Sequence, residues 1–138
     1  MSAAADFDFW LGSWVVTWDD GASQGRNVVT RTHGGNVIIR LQFRATPGAD
    51  SGVFIYGNQL QVRDYPKAGP KQYAFAAKPA GEWNDLEFDI TEGVAVVKLN
   101  GQVIEKAWKI GKNDKQGIGL QKEAGDFDYR YIRMKEKK

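Results

Sequence analysis

The fold is decided by residues 36–64, which read NVIIRLQFRATPGADSGVFIYGNQLQVRD. Over residues 37–44 apolar side chains alternate with mostly polar ones, and this period of two predicts a strand with one buried face. A turn signal at residues 47–50 precedes a short apolar run, 53–56, and a second alternating segment, 59–64. Three strands are therefore predicted, in a sheet with one face toward the core and one polar face.

The remainder of the chain continues this pattern and predicts an all-β, antiparallel domain. About nine or ten short strands, punctuated by Gly, Pro and Asn, are typical of a sandwich or a barrel. Asn100-Gly101 lies between two β-rich segments and is the strongest hairpin signal, because a type I′ turn needs positive φ at both central residues. Residues 65–71, with two prolines, predict a loop, and residues 73–77 a short strand.

Length and composition favour a single β-sandwich domain over residues 1–138. Apolar residues make up 42% and charged residues 26% of the chain, which is ordinary for a soluble protein. No apolar run is long enough to predict a membrane span, and no signal peptide is visible. Cytoplasmic and mature secreted domains both fit this composition, so the compartment and the oligomeric state stay open.

Several kinds of chemistry are disfavoured by residue type. The absence of cysteine excludes disulfides and thiol catalysis. His33 is the single histidine and lies in a Gly-rich turn, so we expect no zinc site, no Ser-His-Asp triad, and no metal or other cofactor. The net charge is +2, and part of the basic surplus lies in the tail at residues 133–138. We interpret this tail as a solvated chain end and predict no nucleic-acid-binding surface.

The polar face of the predicted sheet is the best candidate for a ligand site. If adjacent strands pair as hairpins, five side chains share that face: Arg40, Gln42, Gln59, Gln61 and Arg63. Amide and guanidinium groups match sugar hydroxyls and keto or carboxylate oxygens through directional hydrogen bonds. An ordinary hydrated face is the alternative, since antiparallel sheets commonly expose one side to water. Asp64 is the one acid that we place near this face, either as a catalytic base or as a structural residue at the strand end.

Aromatic and acidic residues supply further candidates. Tyr56 and Trp108, like Tyr65 and Tyr73, are expected either to stack on a sugar ring or to lie in the core. Three tryptophans are assigned to the core: Trp14, Trp18 and Trp83. A glycosidase needs two carboxylates at a defined separation across the scissile bond. The acids that alternate over residues 85–89 are instead interpreted as a solvated outer strand face.

Several segments resemble, in order, motifs of the 3-keto-disaccharide hydrolase-like domain family. They are residues 36–44 with the SGVF turn at 51–54, KPAGEWN at 78–84, VVKLNG at 96–101, GIGLQ at 117–121 and YRYIRMKE at 129–136. The resemblance covers residues 14–136. It implies a concanavalin-like jelly-roll sandwich, related to glycoside hydrolase family 16 and laminin-G domains, that binds or acts on carbohydrate.

The chain departs from the family pattern in the central strand, where the family usually reads Y-E-x-Q-x-x-D. Gln59 stands at the acidic position, while Gln61 and Asp64 are retained. Lys122 and Glu123 occupy the place where family members commonly carry a histidine. These departures move the expectation from an enzyme toward a binder, and they leave enzyme activity open.

The beginning of the chain is similar to a different family. FDFWLGSW at residues 7–14, together with residues 25–27, resembles the opening of a lipocalin-like family. This resemblance implies a β-barrel with an apolar cavity.

Four functions are therefore considered. The first is a carbohydrate-binding or degenerate glycosidase-like domain that recognises a small carbohydrate or glycoside on its polar face. The second is an active 3-keto-glycoside hydrolase or lyase with Asp64 as base. The third is a lipocalin-like carrier of a small apolar ligand, and the fourth is a scaffold without ligand function.

Overall fold

The computed structural model describes residues 24–26, 36–69, 71–112 and 117–137, and these form nine strands and two short helices. The strands are β1 (Gln24–Arg26), β2 (Val37–Ala45), β3 (Asp50–Ile55), β4 (Asn58–Arg63), β5 (Asn84–Thr91), β6 (Val94–Leu99), β7 (Gln102–Lys109), β8 (Ile118–Ala124) and β9 (Phe127–Glu136). The helices are α1 (Tyr65–Ala68) and α2 (Lys71–Ala74), both between β4 and β5.

The strands form two antiparallel sheets. The five-stranded sheet has the order β7-β6-β5-β2-β9, and the four-stranded sheet has the order β1-β8-β3-β4. Apolar side chains from both sheets meet in one core cluster, so the sheets pack face to face. The predicted all-β antiparallel sandwich of the concanavalin-like, jelly-roll kind is confirmed.

The core is built from the inward side of each alternating strand. Every second residue of β2 from Val37 to Ala45 is buried, and β4 shows the same alternation. Phe43 packs against helix α1 and the neighbouring strand β9, since its ring centroid lies 6.2 Å from that of Tyr65 and 5.5 Å from that of Phe127. Each fully buried side chain of this kind contributes about 1.5–3 kcal/mol through removal of apolar surface from water.

The chain crosses from one sheet to the other between β2 and β3. Both edges of β2 are occupied, by β5 on one side and by β9 on the other. Strand β3 therefore cannot pair with β2, and it pairs with β4 and β8 instead. The prediction that residues 37–64 form a single sheet is wrong, because alternating hydrophobicity indicates which face of a strand is buried and does not indicate its neighbour.

The predicted hairpin at Asn100-Gly101 is confirmed. It joins β6 to β7, and both residues have positive φ, 51° for Asn100 and 83° for Gly101, as the type I′ turn requires. The Asn100 side chain also accepts a hydrogen bond from Asp85 N and donates one to Ala76 O, each of 2.8 Å. The turn therefore connects the hairpin to the segment that follows α2.

Residues 65–77 differ from the expected loop and strand, because α1 and α2 occupy them. Pro66 lies in the first turn of α1, where its missing N–H would have no helical partner. Tyr65 and Tyr73 point into the core with ring centroids 5.4 Å apart, and they anchor the two helices. A four-residue helix is too short to show a helical period in the sequence.

Trp83 does not lie in the core as predicted. It is partly exposed, and the guanidinium carbon of Arg130 lies 3.7 Å from its ring centroid. Trp14, Trp18 and His33 lie outside the described residues. The lipocalin-like alternative predicted one barrel around a cavity, whereas the described strands form two sheets around a shared core, so that alternative is wrong. In the described part of the chain, no helix is long and apolar enough to cross a membrane.

Phe43→Ala is expected to lower the free energy of unfolding by about 3–5 kcal/mol, because truncation of a buried phenylalanine leaves a cavity. Phe75→Ala is the matched control, since Phe75 is 63% exposed whereas Phe43 is 1% exposed. The control should change stability by about 0.5 kcal/mol or less. Urea unfolding measures both values, and equal losses would contradict the assigned core.

Candidate functional site

The five side chains predicted to share one polar face lie on opposite sides of the sandwich. Arg40 and Gln42 face outward from the five-stranded sheet, whereas Gln59, Gln61 and Arg63 face outward from the four-stranded sheet. The prediction of one shared face is wrong, because it required β2 and β4 to belong to the same sheet. The core, about 10 Å thick, separates the two groups.

The outer surface of the four-stranded sheet carries three glutamines around one glycine. Gly52 on β3 pairs with Gln61 of β4 on one side and with Gln121 of β8 on the other. Gln59 Nε2 donates a hydrogen bond of 2.7 Å to Gln121 Oε1, and the two side chains meet above Gly52. A Cβ atom at residue 52 would lie 2.5 Å from Gln59 Nε2 and 2.9 Å from Gln121 Oε1. A side chain at residue 52 would therefore displace this amide pair.

Phe54 adds an aromatic ring beside these amides. It pairs with Gln59 on one side and with Gly119 on the other, and it is partly exposed. A Cβ atom at Gly119 would lie 3.4 Å from Phe54 Cβ and 3.9 Å from the nearest ring atoms, so the ring covers this glycine. The surface formed by Gly52, Phe54, Gln59, Gln61 and Gln121 is named the glutamine face.

An ion pair lies at one end of the glutamine face. Arg63 Nε donates a hydrogen bond of 3.0 Å to Asp50 Oδ1, Nη2 contacts the second carboxylate oxygen, and Nη1 donates to Ala68 O at 2.9 Å. The hydrogen bond to Asp50 raises the pKa of Arg63, while burial acts in the opposite direction. The carboxylate of Asp50 is thus occupied by Arg63. The uncharged hydrogen-bonding groups of the glutamine face are the side-chain amides of its three glutamines.

Asp64 lies inside the protein, at the end of β4. It is 3% exposed, its Oδ2 accepts a hydrogen bond of 2.9 Å from Gly48 N, and its backbone N donates to Ala49 O at 3.0 Å. These contacts fix the crossing between β2 and β3. The geometry gives Asp64 a structural role there, and its catalytic role stays a prediction.

The aromatic residues proposed for ring stacking belong to the core or pack against it. Tyr56, Tyr65 and Tyr73 are buried, at 4%, 1% and 7% exposure. Trp108 lies on β7 of the other sheet and packs against the core, with its ring centroid 6.0 Å from that of Phe88. Phe54 is therefore the ring that the structure presents on the glutamine face.

Arg40 and Gln42 contact the acids of β5 on the opposite side of the sandwich. Arg40 Nε donates to Glu87 Oε1 at 2.8 Å, and Gln42 Nε2 donates to Asp85 Oδ1 at 2.6 Å. The acids of residues 85–89 thus lie on an outer strand face, as predicted. Arg40 and Gln42 form part of a second polar surface that is distinct from the glutamine face.

A buried hydrogen-bonded chain connects the glutamine face with the five-stranded sheet. Ser51 of β3 is fully buried, and its hydroxyl donates to the backbone oxygen of Gln121. Ser51 Oγ also lies 2.7 Å from the Tyr129 hydroxyl of β9. Since the single serine proton goes to Gln121, Tyr129 donates to Ser51. This chain positions the backbone of Gln121 relative to both sheets.

The glutamine face is equipped for hydrogen bonding more than for proton transfer. Glutamine amides supply donors and acceptors in fixed directions and do not titrate in the accessible pH range. Within the described residues, no group of three His, Cys, Asp or Glu side chains is arranged to hold a metal ion. The amides of this surface can donate hydrogen bonds to hydroxyl groups and accept hydrogen bonds from them.

Of the five residues of the glutamine face, the prediction from sequence missed three, namely Gly52, Phe54 and Gln121. Phe54 lies in a short apolar run, but Val53 and Ile55 are fully buried and the alternation leaves Phe54 outward. Gln121 lies in the GIGLQ segment that resembles the family motif, although its partner could not be identified without the pairing of β8 with β3. The alternation was available from sequence, whereas the pairing was not.

The two-sheet architecture with a polar outer sheet face places the protein among the concanavalin-like jelly-roll domains. The chain belongs to the 3-keto-alpha-glucoside-1,2-lyase-like domain family, which it matches over residues 6–135. The resemblance stated from the sequence motifs is thereby confirmed. No curated protein sequence matches the chain.

Two solved structures share the fold, and both are candidate glycosyl hydrolases from Parabacteroides distasonis ATCC 8503. The structure at 1.70 Å resolution has a TM-score of 0.61 and 14% sequence identity, over 86% of this chain and 79% of that chain. The structure at 2.00 Å resolution has a TM-score of 0.62 and 18% identity, over 96% of this chain and 94% of that chain. At these identities the likeness shows a common fold.

Stability is expected to fall as the pH rises above about 10, because the pKa values of Tyr65, Tyr73 and Tyr129 are raised, mainly by burial. Their ordinary value is 10.0, so the unfolded chain loses these protons first and the free energy of unfolding declines with pH. Tyr129→Phe should reduce this slope by up to about 1.4 kcal/mol per pH unit. Urea unfolding at a series of alkaline pH values measures the slope, and an unchanged slope in the variant would contradict the burial of the Tyr129 hydroxyl.

Proposed function

We propose that the protein binds a small carbohydrate of the glucoside or keto-glucoside class on the glutamine face. The observation that carries the proposal is the side-chain amide of Gln61. It makes no hydrogen bond to another described residue, and it lies beside the Gln59–Gln121 pair on the outer surface. A half-buried amide on an ordered strand is suited to exchange bound water for ligand hydroxyl groups.

The neighbouring amides extend the same hydrogen-bonding pattern. The Gln59–Gln121 bond uses one donor and one acceptor, so relative to the described residues Gln59 Oε1 and Gln121 Nε2 keep their hydrogen-bonding capacity. Because their positions are fixed by the bond above Gly52, little side-chain entropy remains to be lost on binding. An ordered set of donors and acceptors supports specific recognition of hydroxyl groups.

Phe54 supports the same proposal through its shape. Sugar rings have apolar C–H faces as well as hydroxyl edges, and ligand sites commonly combine an apolar surface with a few placed polar groups. The partly exposed ring of Phe54 lies next to Gln59 in the strand register. One ligand ring can therefore contact the aromatic face and the amides together.

The surroundings of the acids in this region favour ligand binding over catalytic turnover. Gln59 occupies the position at which the family resemblance implies an acid, and a glutamine cannot exchange a proton there. Asp64 is buried against Gly48, and Asp50 is held by Arg63. The glutamine face thus keeps groups that orient a sugar while the acids near it have structural partners.

Family membership favours a second candidate, cleavage of a 3-keto-glucoside. Glu123 on β8 is exposed, and its charge acts on Arg63. Asp64 stays the base predicted from the sequence, and Glu123 is a further candidate because its carboxylate is exposed, whereas Asp64 and Asp50 have the partners described above. Recovery of intact ligand after prolonged incubation distinguishes binding from cleavage.

Titration calorimetry with a panel of glucosides and 3-keto-glucosides is expected to show saturable binding. Gln61→Ala should weaken it roughly tenfold, since loss of one or two hydrogen bonds costs about 1–1.5 kcal/mol. Gln102→Ala is the matched control, because Gln102 is exposed at the start of β7 on the other sheet. A flat response across the panel, or equal effects of the two substitutions, would overturn the proposal.

A further inference from the structure

The turn between β6 and β7 carries a dipeptide that is prone to chemical change. An asparagine followed by glycine can lose its side-chain amide to attack by the next backbone nitrogen, because glycine has no side chain to hinder the approach. Asn100-Gly101 is the one Asn-Gly pair in the sequence. Gly101 is exposed, and no described residue lies within 4 Å of the position that a Cβ atom would take there. Solvent therefore has access to this turn.

The side-chain amide of Asn100 is hydrogen-bonded at both of its ends. Oδ1 accepts from Asp85 N at 2.8 Å, and Nδ2 donates to Ala76 O at 2.8 Å and to Asn84 Oδ1 at 2.9 Å. The backbone N of Asn100 also donates to Asp85 O at 2.8 Å. These partners belong to β5 and to the segment after α2, and Asn84 is only 3% exposed. The folded chain thus fixes the side chain of Asn100 in one rotamer.

Loss of the amide requires this arrangement to break. The Gly101 nitrogen gives its proton to hydroxide and forms a bond to Asn100 Cγ, after which the bond from Cγ to Nδ2 breaks and Nδ2 leaves as ammonia with a proton from water. Water then opens the cyclic imide and gives aspartate or isoaspartate. Because Cγ becomes tetrahedral during the attack, Oδ1 and Nδ2 both leave their positions. The three side-chain hydrogen bonds therefore oppose the reaction in the folded protein.

Neither product fits the place that the amide occupies. An aspartate would set a carboxylate oxygen against Ala76 O and Asn84 Oδ1, which are both acceptors. Asn84 Oδ1 also accepts from Lys78 N at 2.8 Å, so turning the Asn84 amide to offer a donor would break that bond. Isoaspartate adds an atom to the main chain of a two-residue loop, and the length of that loop sets the register of β6 against β7.

We propose that Asn100 is a deamidation site that the fold keeps closed and that opens when the β6–β7 hairpin unfolds. The change is irreversible, because ammonia is lost and neither product restores the hydrogen bonds of the amide. A chain that has been unfolded for long therefore carries a permanent modification in this hairpin and refolds to a less stable protein. The site lies on the five-stranded sheet and does not depend on the function proposed for the glutamine face.

The rate of deamidation in the full chain, native and unfolded in guanidinium chloride, tests the closed state. Tryptic cleavage after Lys98 and Lys106 releases residues 99–106, in which mass spectrometry distinguishes asparagine from the acidic products. In mildly alkaline buffer the native protein should react about a hundredfold more slowly, since the hydrogen bonds of the amide must break first. Equal rates in the two states would overturn the proposal.

Two substitutions of Asn84 test the part assigned to the hydrogen bonds. Asn84→Ala removes one acceptor of the Asn100 amide and should raise the native rate about tenfold. Asn84→Asp lacks the same donor but keeps an acceptor oxygen, so its rate should return toward that of the unsubstituted chain. Equal native rates in the two variants would overturn the assignment.

Asn100→Asp reproduces one product and tests its effect on stability. It should lower the guanidinium concentration at the midpoint of unfolding, because the carboxylate faces two acceptors. Gln102→Glu is the matched control, since it adds the same charge at an exposed position two residues away and should leave the midpoint unchanged. Equal midpoints for the two variants would overturn the proposed loss of stability.

Discussion

The complete pairing of β2 is the constraint on which the rest of the structure depends. Its two edges are hydrogen-bonded to β5 and β9 over most of its length, and its inward residues lie in the core. The following strand must therefore enter the other sheet, through a crossing that Asp64 stabilises by its bond to Gly48. As a result, two polar segments that are adjacent in sequence face opposite sides of the sandwich.

These two faces have different chemistry. The glutamine face is dominated by uncharged amides above Gly52, with its one ion pair at the end. On the opposite face, the Arg130 guanidinium lies near the rings of Trp83 and Tyr131, and Arg40 and Gln42 donate hydrogen bonds to the acids of β5. The hydrogen bonds Tyr129–Ser51–Gln121 run through the sandwich from one sheet to the other. The backbone beneath the glutamine face is therefore held by β9 of the five-stranded sheet.

Much of the fold was predictable from local patterns in the sequence. Alternation identified the buried faces of β2 and β4, and Asn100-Gly101 identified a hairpin, because both signals act over a few residues. The pairing of β3 with β8, more than 60 residues apart in the chain, was not predictable, since many strand neighbours satisfy the same alternation. For that reason Gln59 and Gln61 were identified correctly as outward residues, whereas their grouping with Arg40 and Gln42 was wrong. The positive φ of Tyr131, 54°, lies at an irregularity in the pairing of β2 with β9. It also had no sequence signal, because such an irregularity depends on the register of the two strands.

The glutamine face is proposed to recognise a sugar through its amides. The most direct measurement is a titration with a 3-keto-glucoside, followed by nuclear magnetic resonance of the glutamine side-chain amides. The account predicts saturable shifts of the Gln59, Gln61 and Gln121 amides with one common dissociation constant, while the Gln102 amide on the other sheet stays unchanged. Shifts confined to other glutamines, or no shifts at ligand saturation of the solution, would contradict it.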